Sequence, residues 1–305
     1  MRDTVFFRQA ELLLRILPLI HKEEAFALKG GTAINFFVQD LPRLSVDIDL
    51  TYLPLHDRDL ALDEIRNGLA RIAEAIKGRM PGTRILLKKI HGTGVVRGLI
   101  VERNGITVKV EANLVLRGSV YPPETKTLSK RAQDLFELSL QMQILSTHDL
   151  YAGKICAALD RQHPRDLFDV HLLFKTTRLD PQTRKAFLVY LASHPRPMVE
   201  ILDPQKKDIQ ELFEKEFKGM IAEPVTWEDL AATREELVSM MGEGLSAEER
   251  RFIVSVKEGR PEWGLLGLEG VENLPGVKWK LLNISRMDRA KHRQAVRKLR
   301  DYLGV

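Results

Sequence analysis

Hydrophobic and polar positions alternate without a break from Ser45 to Thr51: Val46, Ile48 and Leu50 point one way, and Ser45, Asp47, Asp49 and Thr51 the other. A period of two is that of a half-buried strand, so both aspartates are predicted to share its open face. A second β-rich region covers Val95–Glu102 and Ile106–Leu114, which flank Arg103-Asn104-Gly105. Asn-Gly between two such runs predicts a tight hairpin. With Asn104 and Gly105 as its two loop residues, paired positions sum to 209 and Gly98 falls opposite Glu111. A glycine there is expected to leave open space beside the carboxylate. Leu138, Leu140, Met142 and Ile144 alternate in the same way and predict a further strand.

Elsewhere the period is helical. Leu12, Leu13, Ile16 and Leu19 make an apolar stripe within Thr4–Ile20, and Leu62, Ile65, Leu69, Ile72 and Ile76 make a cleaner one that is expected to end at Gly78. Between the first stripe and the aspartate strand lies Gly30-Gly31-Thr32, followed by the apolar run Ala33–Val38. That run is predicted to be a short helix capped by Thr32. The two glycines let backbone approach a ligand, and a helix start offers free N–H groups to phosphate oxygens. Thr147 is the expected N-cap of a helix through Leu159, and another helix follows Pro164 with Leu167, Val170, Leu173 and Phe174. Residues 176–305 show helical stripes with few strand signals. The order, mixed α and β first and mostly α afterwards, predicts an α+β catalytic domain over 1–176 and a helical domain over 177–305.

Composition narrows this in three ways. A 305-residue chain has room for two domains, and no stretch approaches the roughly 20 apolar residues of a membrane span. The single cysteine, Cys156, excludes an internal disulfide framework and a zinc site built on several cysteines, and fits a cytoplasmic protein. Net charge is +5, but Gly276–Val305 carries nine Lys/Arg against Asp288 and Asp301, a net +7 that leaves −2 for the other 275 residues. Such a tail either neutralises the phosphates of a polyanion such as RNA or is a solvated helix face. Trp227, Trp263 and Trp279 are read as core or interdomain anchors. His148, His163 and His171 lack the i, i+4 spacing of a metal pair and are read as non-catalytic.

The chemistry rests on Asp47 and Asp49. Two carboxylates on one strand face suit one or two hard cations, and Mg²⁺ favours one or two carboxylates together with substrate phosphates. Glu111 on the hairpin's second arm is the natural third acid of a two-metal site. Asp-x-Asp also marks glycosyltransferases that use nucleotide sugars, but a Gly-Gly turn directly before it, near the N-terminus, fits those poorly. Lys154 lies on a helix between Tyr151, Ile155 and Ala158, where it either snorkels outward or meets an anion. Asp166 and Asp169 stand in a helix's first turn, where acids are favoured in any case.

GGTAINFFVQDLPRLSVDIDL (30–50) resembles the first motif of the polymerase-β-like nucleotidyltransferases, and most of all their abortive-infection toxin branch, the AbiEii type of type IV toxin–antitoxin systems. DLYAGKICAALDR (149–161), PRDLFDV (164–170) and WKLLNI (279–284) are similar to segments of the same branch. The resemblance implies a polymerase-β-like domain with a small mixed sheet flanked by helices. It implies that Asp47 and Asp49, with Glu111 less securely, hold Mg²⁺, that Gly31 and Thr32 form the phosphate loop with Arg43 and Ser45 beside it, and that these and Gly30 bind the nucleotide. Lys154 matches a lysine expected to face the triphosphate, and Asp166 and Asp169 match the acids of the last motif, with the catalytic one of the two left open. The implied reaction moves a nucleotide from an NTP to an acceptor hydroxyl, an RNA such as a tRNA 3′ end, in a toxin opposed by a cognate antitoxin. The competing expectation is a catalytically silent nucleotide- or RNA-binding regulator on the same fold.

Overall fold

A computed structural model describes residues 4–176 and 179–305. The chain divides into two compact units. One runs through Leu150 and takes back Glu214–Pro224; the other consists of Tyr151–Phe213 and Val225–Val305. The sequence draws its boundary at residue 176, in the connection after the second of the helices that follow the sheet.

The first unit is built on a seven-stranded mixed sheet. Its strands are β1 (Phe26–Lys29), β2 (Asp47–Tyr52), β3 (Arg84–Lys89), β4 (Val96–Arg103), β5 (Ile106–Asn113), β6 (Glu124–Thr127) and β7 (Gln141–Ile144). They are ordered β3-β4-β5-β2-β1-β7-β6. β2 runs parallel to β5 and β1 parallel to β7, and the other neighbours are antiparallel. Ile48, Leu50, Val108 and Val110 are fully buried. Their register pairs, Ile48 with Val110 among them, put these side chains on one sheet face. Helix α1 (Val5–Ile20) packs against β5 and a long helix, α2 (Arg58–Arg79), against β4. Thr4 caps the first by accepting from Phe7 N, and Asp57 caps the second by accepting from Leu60 N. The second helix runs through Gly78 rather than ending there, because Met80 closes it by donating to the Ile76 carbonyl.

The β4–β5 hairpin has the register expected of its Asn-Gly turn, with Gly98 opposite Glu111. The glycine's reason differs from the expected one. A Cβ on Gly98 would stand 2.2 Å from the Val110 carbonyl oxygen, so the residue permits close backbone approach and leaves no open space beside Glu111. The Glu214–Pro224 segment belongs to this unit because it pairs with the stretch before β2. Leu44 N donates to the Met220 carbonyl and Ala222 N to that of Pro42, both at 2.8 Å.

The second unit is helical. Helix α3 (Thr147–Arg161) starts at the sheet unit's end and continues into it. Its cap is Ser146 rather than Thr147: Ser146 Oγ accepts from Asp149 N at 3.0 Å and donates to the Asp149 carboxylate at 2.7 Å. Gln162, at φ +54°, ends the helix in the left-handed conformation, and Pro164 opens α4 (Pro164–Thr176). Then come α5 (Pro181–Ser193), α6 (Trp227–Gly242), α7 (Ala247–Glu258), α8 (Pro275–Ser285) and α9 (Arg289–Leu303), with shorter turns between. Among the described residues no helix is long and apolar enough to cross a membrane.

Candidate active site

In the first unit the chain leaves β1 at Lys29, turns at Gly30 and Gly31, runs through a short helix, and returns as β2. The helical turn begins at Gly30 and loosens into a wider π-type turn over Ile34–Val38, so Thr32 lies inside it and does not cap it. The Thr32 hydroxyl has another task. It lies 2.5 Å from the Asp47 carbonyl oxygen and 2.9 Å from Ser45 Oγ. A carbonyl only accepts, so Thr32 donates its proton there and accepts from Ser45. The turn is thereby tied to the first residue of the aspartate strand.

Gly30 has φ +72°, and a Cβ on it would meet Asp49 Oδ2 at 2.6 Å. The aspartate's oxygen thus occupies space that any other residue would fill. On Gly31 a Cβ would stand 2.5 Å from Arg43 Nη2. Arg43 is buried beneath the turn and donates from Nη1 to the Leu44 carbonyl at 2.9 Å. Asn35 supports the same turn, its Nδ2 donating to the Gly31 carbonyl at 2.9 Å. A polar residue set in the run INFFV was the sequence signal for it. Gly30→Ala is expected to lose about 1–2 kcal/mol for the left-handed backbone alone. A lowered urea midpoint with an unchanged slope would register it.

Asp47 and Asp49 are both half-buried on the open face of β2. The register puts Lys29 beside Asp49 on one side and Glu111 beside it on the other. Lys29 escaped the sequence reading, although it directly precedes the Gly-Gly pair. The Glu111 carboxylate meets Lys88 Nζ at 2.8 Å and also the Arg97 guanidinium. Burial works to raise the Glu111 carboxyl, but hydrogen bonds from Lys88 and Arg97 hold it below the usual carboxylate range. Among the described residues no three His, Cys, Asp or Glu side chains are grouped as a metal site. The third acid therefore lies in the right register with its charge already matched by two cations.

The remaining site residues form a second constellation, within the helical unit. Lys154 and Arg161 lie seven apart on α3, and Asp166 and Asp169 three apart on α4. Lys154 Nζ meets Asp166 Oδ1 at 2.8 Å and Asp169 Oδ2 at 3.0 Å, and Arg161 Nε meets Asp166 Oδ2 at 2.5 Å. Lys154 is 6% exposed and Asp169 0%. The lysine neither snorkels outward nor presents a free ammonium: it joins two helices. Burial works to raise the Asp166 carboxyl, but Lys154 and Arg161 together hold it well below the usual range. The sign of the linked stability follows. Just below the ordinary value of 3.8 the unfolded chain binds a proton that the fold refuses. Stability carried by Asp166 is therefore complete above that pH and is lost as pH falls toward the depressed value. Denaturant midpoints measured from pH 5 downward are expected to fall, and to fall less steeply in Asp166→Asn. Asp149, in the same matched segment, has a structural role: its carboxylate accepts from Val120 N and Tyr121 N at 2.8 and 3.0 Å.

The family model described as nucleotidyl transferase AbiEii toxin, type IV toxin–antitoxin system, matches residues 11–270. The chain belongs to this family. Every candidate residue from Gly30 to Asp169 lies inside the matched region of this AbiEii-family protein. MenT4, a nucleotidyltransferase toxin from Mycobacterium tuberculosis H37Rv, is similar in structure, with a TM-score of 0.60 at 15% identity over 97% of this chain and 93% of that one. At that identity the likeness shows a shared fold. No curated protein sequence gives a significant match.

Proposed function

We propose that this AbiEii-family protein is a Mg²⁺-dependent nucleotidyltransferase that moves a nucleotide from an NTP to the hydroxyl of an RNA acceptor, a tRNA 3′ end being one such acceptor. One observation carries the reading: Asp47 and Asp49 share one strand face, with Asp49 Oδ2 lodged against Gly30 where a Cβ would otherwise stand.

The donor set fits the metal, since two carboxylates offer the hard oxygen ligands that Mg²⁺ prefers. When bound, the cation would supply Lewis-acid stabilisation of the charge on the reacting phosphates. Asp47 and Asp49 would hold it, and Glu111 would join them once Lys88 and Arg97 turned from its carboxylate to the substrate's phosphates. Gly30 and Gly31 give their side-chain space to Asp49 and Arg43, and a phosphate would meet the turn at its backbone N–H groups. Thr32 and Ser45 keep that turn in register with β2, and buried Arg43 props it from beneath. The acceptor oxygen bonds to the α-phosphorus, the bond from that phosphorus to the bridging oxygen of the β-phosphate breaks, and pyrophosphate leaves. The hydroxyl proton passes to solvent or to a carboxylate of the pair. The ion-paired Lys154, Asp166 and Asp169 are assigned here to holding α3 against α4. The family's type IV toxin–antitoxin character makes a cognate antitoxin the expected partner in the cell.

The test is to incubate the pure protein with each α-labelled NTP, Mg²⁺ and total RNA. Label appearing on RNA supports transfer. Label that stays as NTP while the nucleotide binds would favour the silent regulator instead.

A further inference from the structure

Helix α8 carries the WKLLNI segment, and its rotation is fixed by Lys280. That side chain is buried, and its ammonium donates to the carbonyls of His194 and Arg196 at 2.7 and 2.6 Å, just past the end of α5. Val277 and Ile284 are buried on the same side. With that side inward, the adjacent Trp279 is turned to solvent. It is 44% exposed, and Leu282, one turn on, is 39% exposed. Lys278 and Arg286 are exposed too, and Arg286, at i+7, stands above Trp279 on the same face. The expectation that all three tryptophans serve as anchors therefore fails for Trp279. Trp263 meets it by packing on Phe252, and Trp227 by packing on Phe213.

Trp279 and Leu282 thus set a small apolar patch among exposed cations. The next helix extends the charge. Along α9, Arg289, Arg293, Arg297 and Arg300 fall in one stripe of the exposed side. Arg293, Arg297 and Arg300 border a shallow depression of about 320 Å³ over His292 and Val296. Among the described residues the ion pairs on these two helices are Arg297 with Asp301 and Arg300 with Glu258. Lys278, Arg286, Arg289, Lys291, Arg293 and Lys298 have no carboxylate at ion-pair distance among the described residues.

We infer that the outer face of α8 and α9 is a docking surface for single-stranded RNA, in which Trp279 stacks on a base and the unpaired arginines and lysines hold the flanking phosphates. Cations alone would suit any polyanion, an acidic protein included. The indole adds the requirement for a flat aromatic partner, which RNA supplies at every nucleotide and in an unpaired strand leaves accessible. The surface lies beyond residue 270, where the family match ends, on the helix that carries the WKLLNI segment and on the helix after it. It deepens the proposed transfer to RNA, and rests on that reading only for the use made of the bound strand.

The experiment compares the full chain with Trp279→Ala, Trp279→Phe and the double variant Arg293→Gln/Arg297→Gln. The probes are a 12-nucleotide oligoadenylate, inorganic polyphosphate and polyglutamate, each titrated over a salt series. Because Trp279 is exposed, its variants are expected to keep the wild-type circular dichroism and melting temperature. Trp279→Ala should weaken oligoadenylate binding about tenfold or more, and Trp279→Phe should stay within about threefold of wild type. Polyphosphate binding and the salt slope should be unchanged in both. The double arginine variant should weaken both phosphate probes and reduce the salt slope by about 0.7 per lost contact. Wild-type affinity of Trp279→Ala for oligoadenylate would overturn the inference, as would polyglutamate binding with the same dependence on Trp279. Transfer from α-labelled NTP separates the two readings. No transfer by wild type, with Trp279-dependent RNA binding intact, sinks the enzyme reading alone. Transfer by Trp279→Ala with an unchanged KM for RNA sinks the docking surface alone.

Discussion

Lys154→Met is expected to destabilise the helical unit by about 3–5 kcal/mol, because it removes the ammonium that two buried carboxylates share. Against a typical total of about 5–15 kcal/mol, that is enough to lower soluble yield sharply. The residual pairing of Asp166 with Arg161 offsets part of the loss, while fully buried Asp169 loses its 3.0 Å ion pair with Lys154. The informative control neutralises the whole cluster: Lys154→Met combined with Asp166→Asn and Asp169→Asn should recover much of the loss, since exchanging a complete buried ion set for neutral groups is often near neutral. Chemical unfolding of the three proteins decides it. A wild-type midpoint in Lys154→Met would remove the ion cluster as the lock between α3 and α4. The same logic limits what activity assays on Lys154 variants can say, because lost transfer there would accompany lost structure.

Asp49→Asn should reduce nucleotide transfer by about 10³-fold or more, since the cation that the pair is assigned to hold is worth several kcal/mol at the transition state. Stability should move the other way or hardly at all. Asp47 and Asp49 share one face of β2, and removing one charge relieves their mutual repulsion while keeping the side chain's shape. A large activity loss beside an unchanged unfolding midpoint marks a residue kept for chemistry and not for the fold. Asp49→Asn with full activity would remove Asp49 from the metal pair. An equal fall in stability and activity would make the residue structural. This contrast with Lys154 is the sharpest division within the residues that the family resemblance brings together.

Much of the first unit was legible because it is governed by local rules. Strict alternation put Asp47 and Asp49 on one face, and the Asn-Gly turn fixed a register that carried as far as Gly98 and Glu111. What those rules do not reach is the neighbour across a packed interface. The cations that engage Glu111 come from β3 and β4. The β3 stretch, Arg84–Lys89, sets three apolar residues in a row, so the period of two that betrays a strand is broken there. Lys154 showed its apolar neighbours along the helix but not the acids 12 and 15 residues later, which meet it only because Gln162 and Pro164 fold α4 back on α3. Glu214–Pro224 carries no sequence sign of pairing with Pro42–Leu44, since a short backbone-to-backbone contact needs no particular side chains. Trp279 departs from the expected anchor role for a related reason. Its outward turn follows from the burial of Lys280 beside it, an exception to the usual place of both residue types.

The most direct measurement pairs two labels in one reaction. Wild-type protein is given RNA, Mg²⁺ and its preferred NTP, labelled at the α-phosphate in one tube and at the γ-phosphate in another. Nucleotidyl transfer places the α label on RNA and releases the γ label as pyrophosphate in equal amount. A γ label recovered on RNA, or α label recovered only as free nucleotide, would contradict the assignment of Asp47 and Asp49 to a nucleotidyltransferase site.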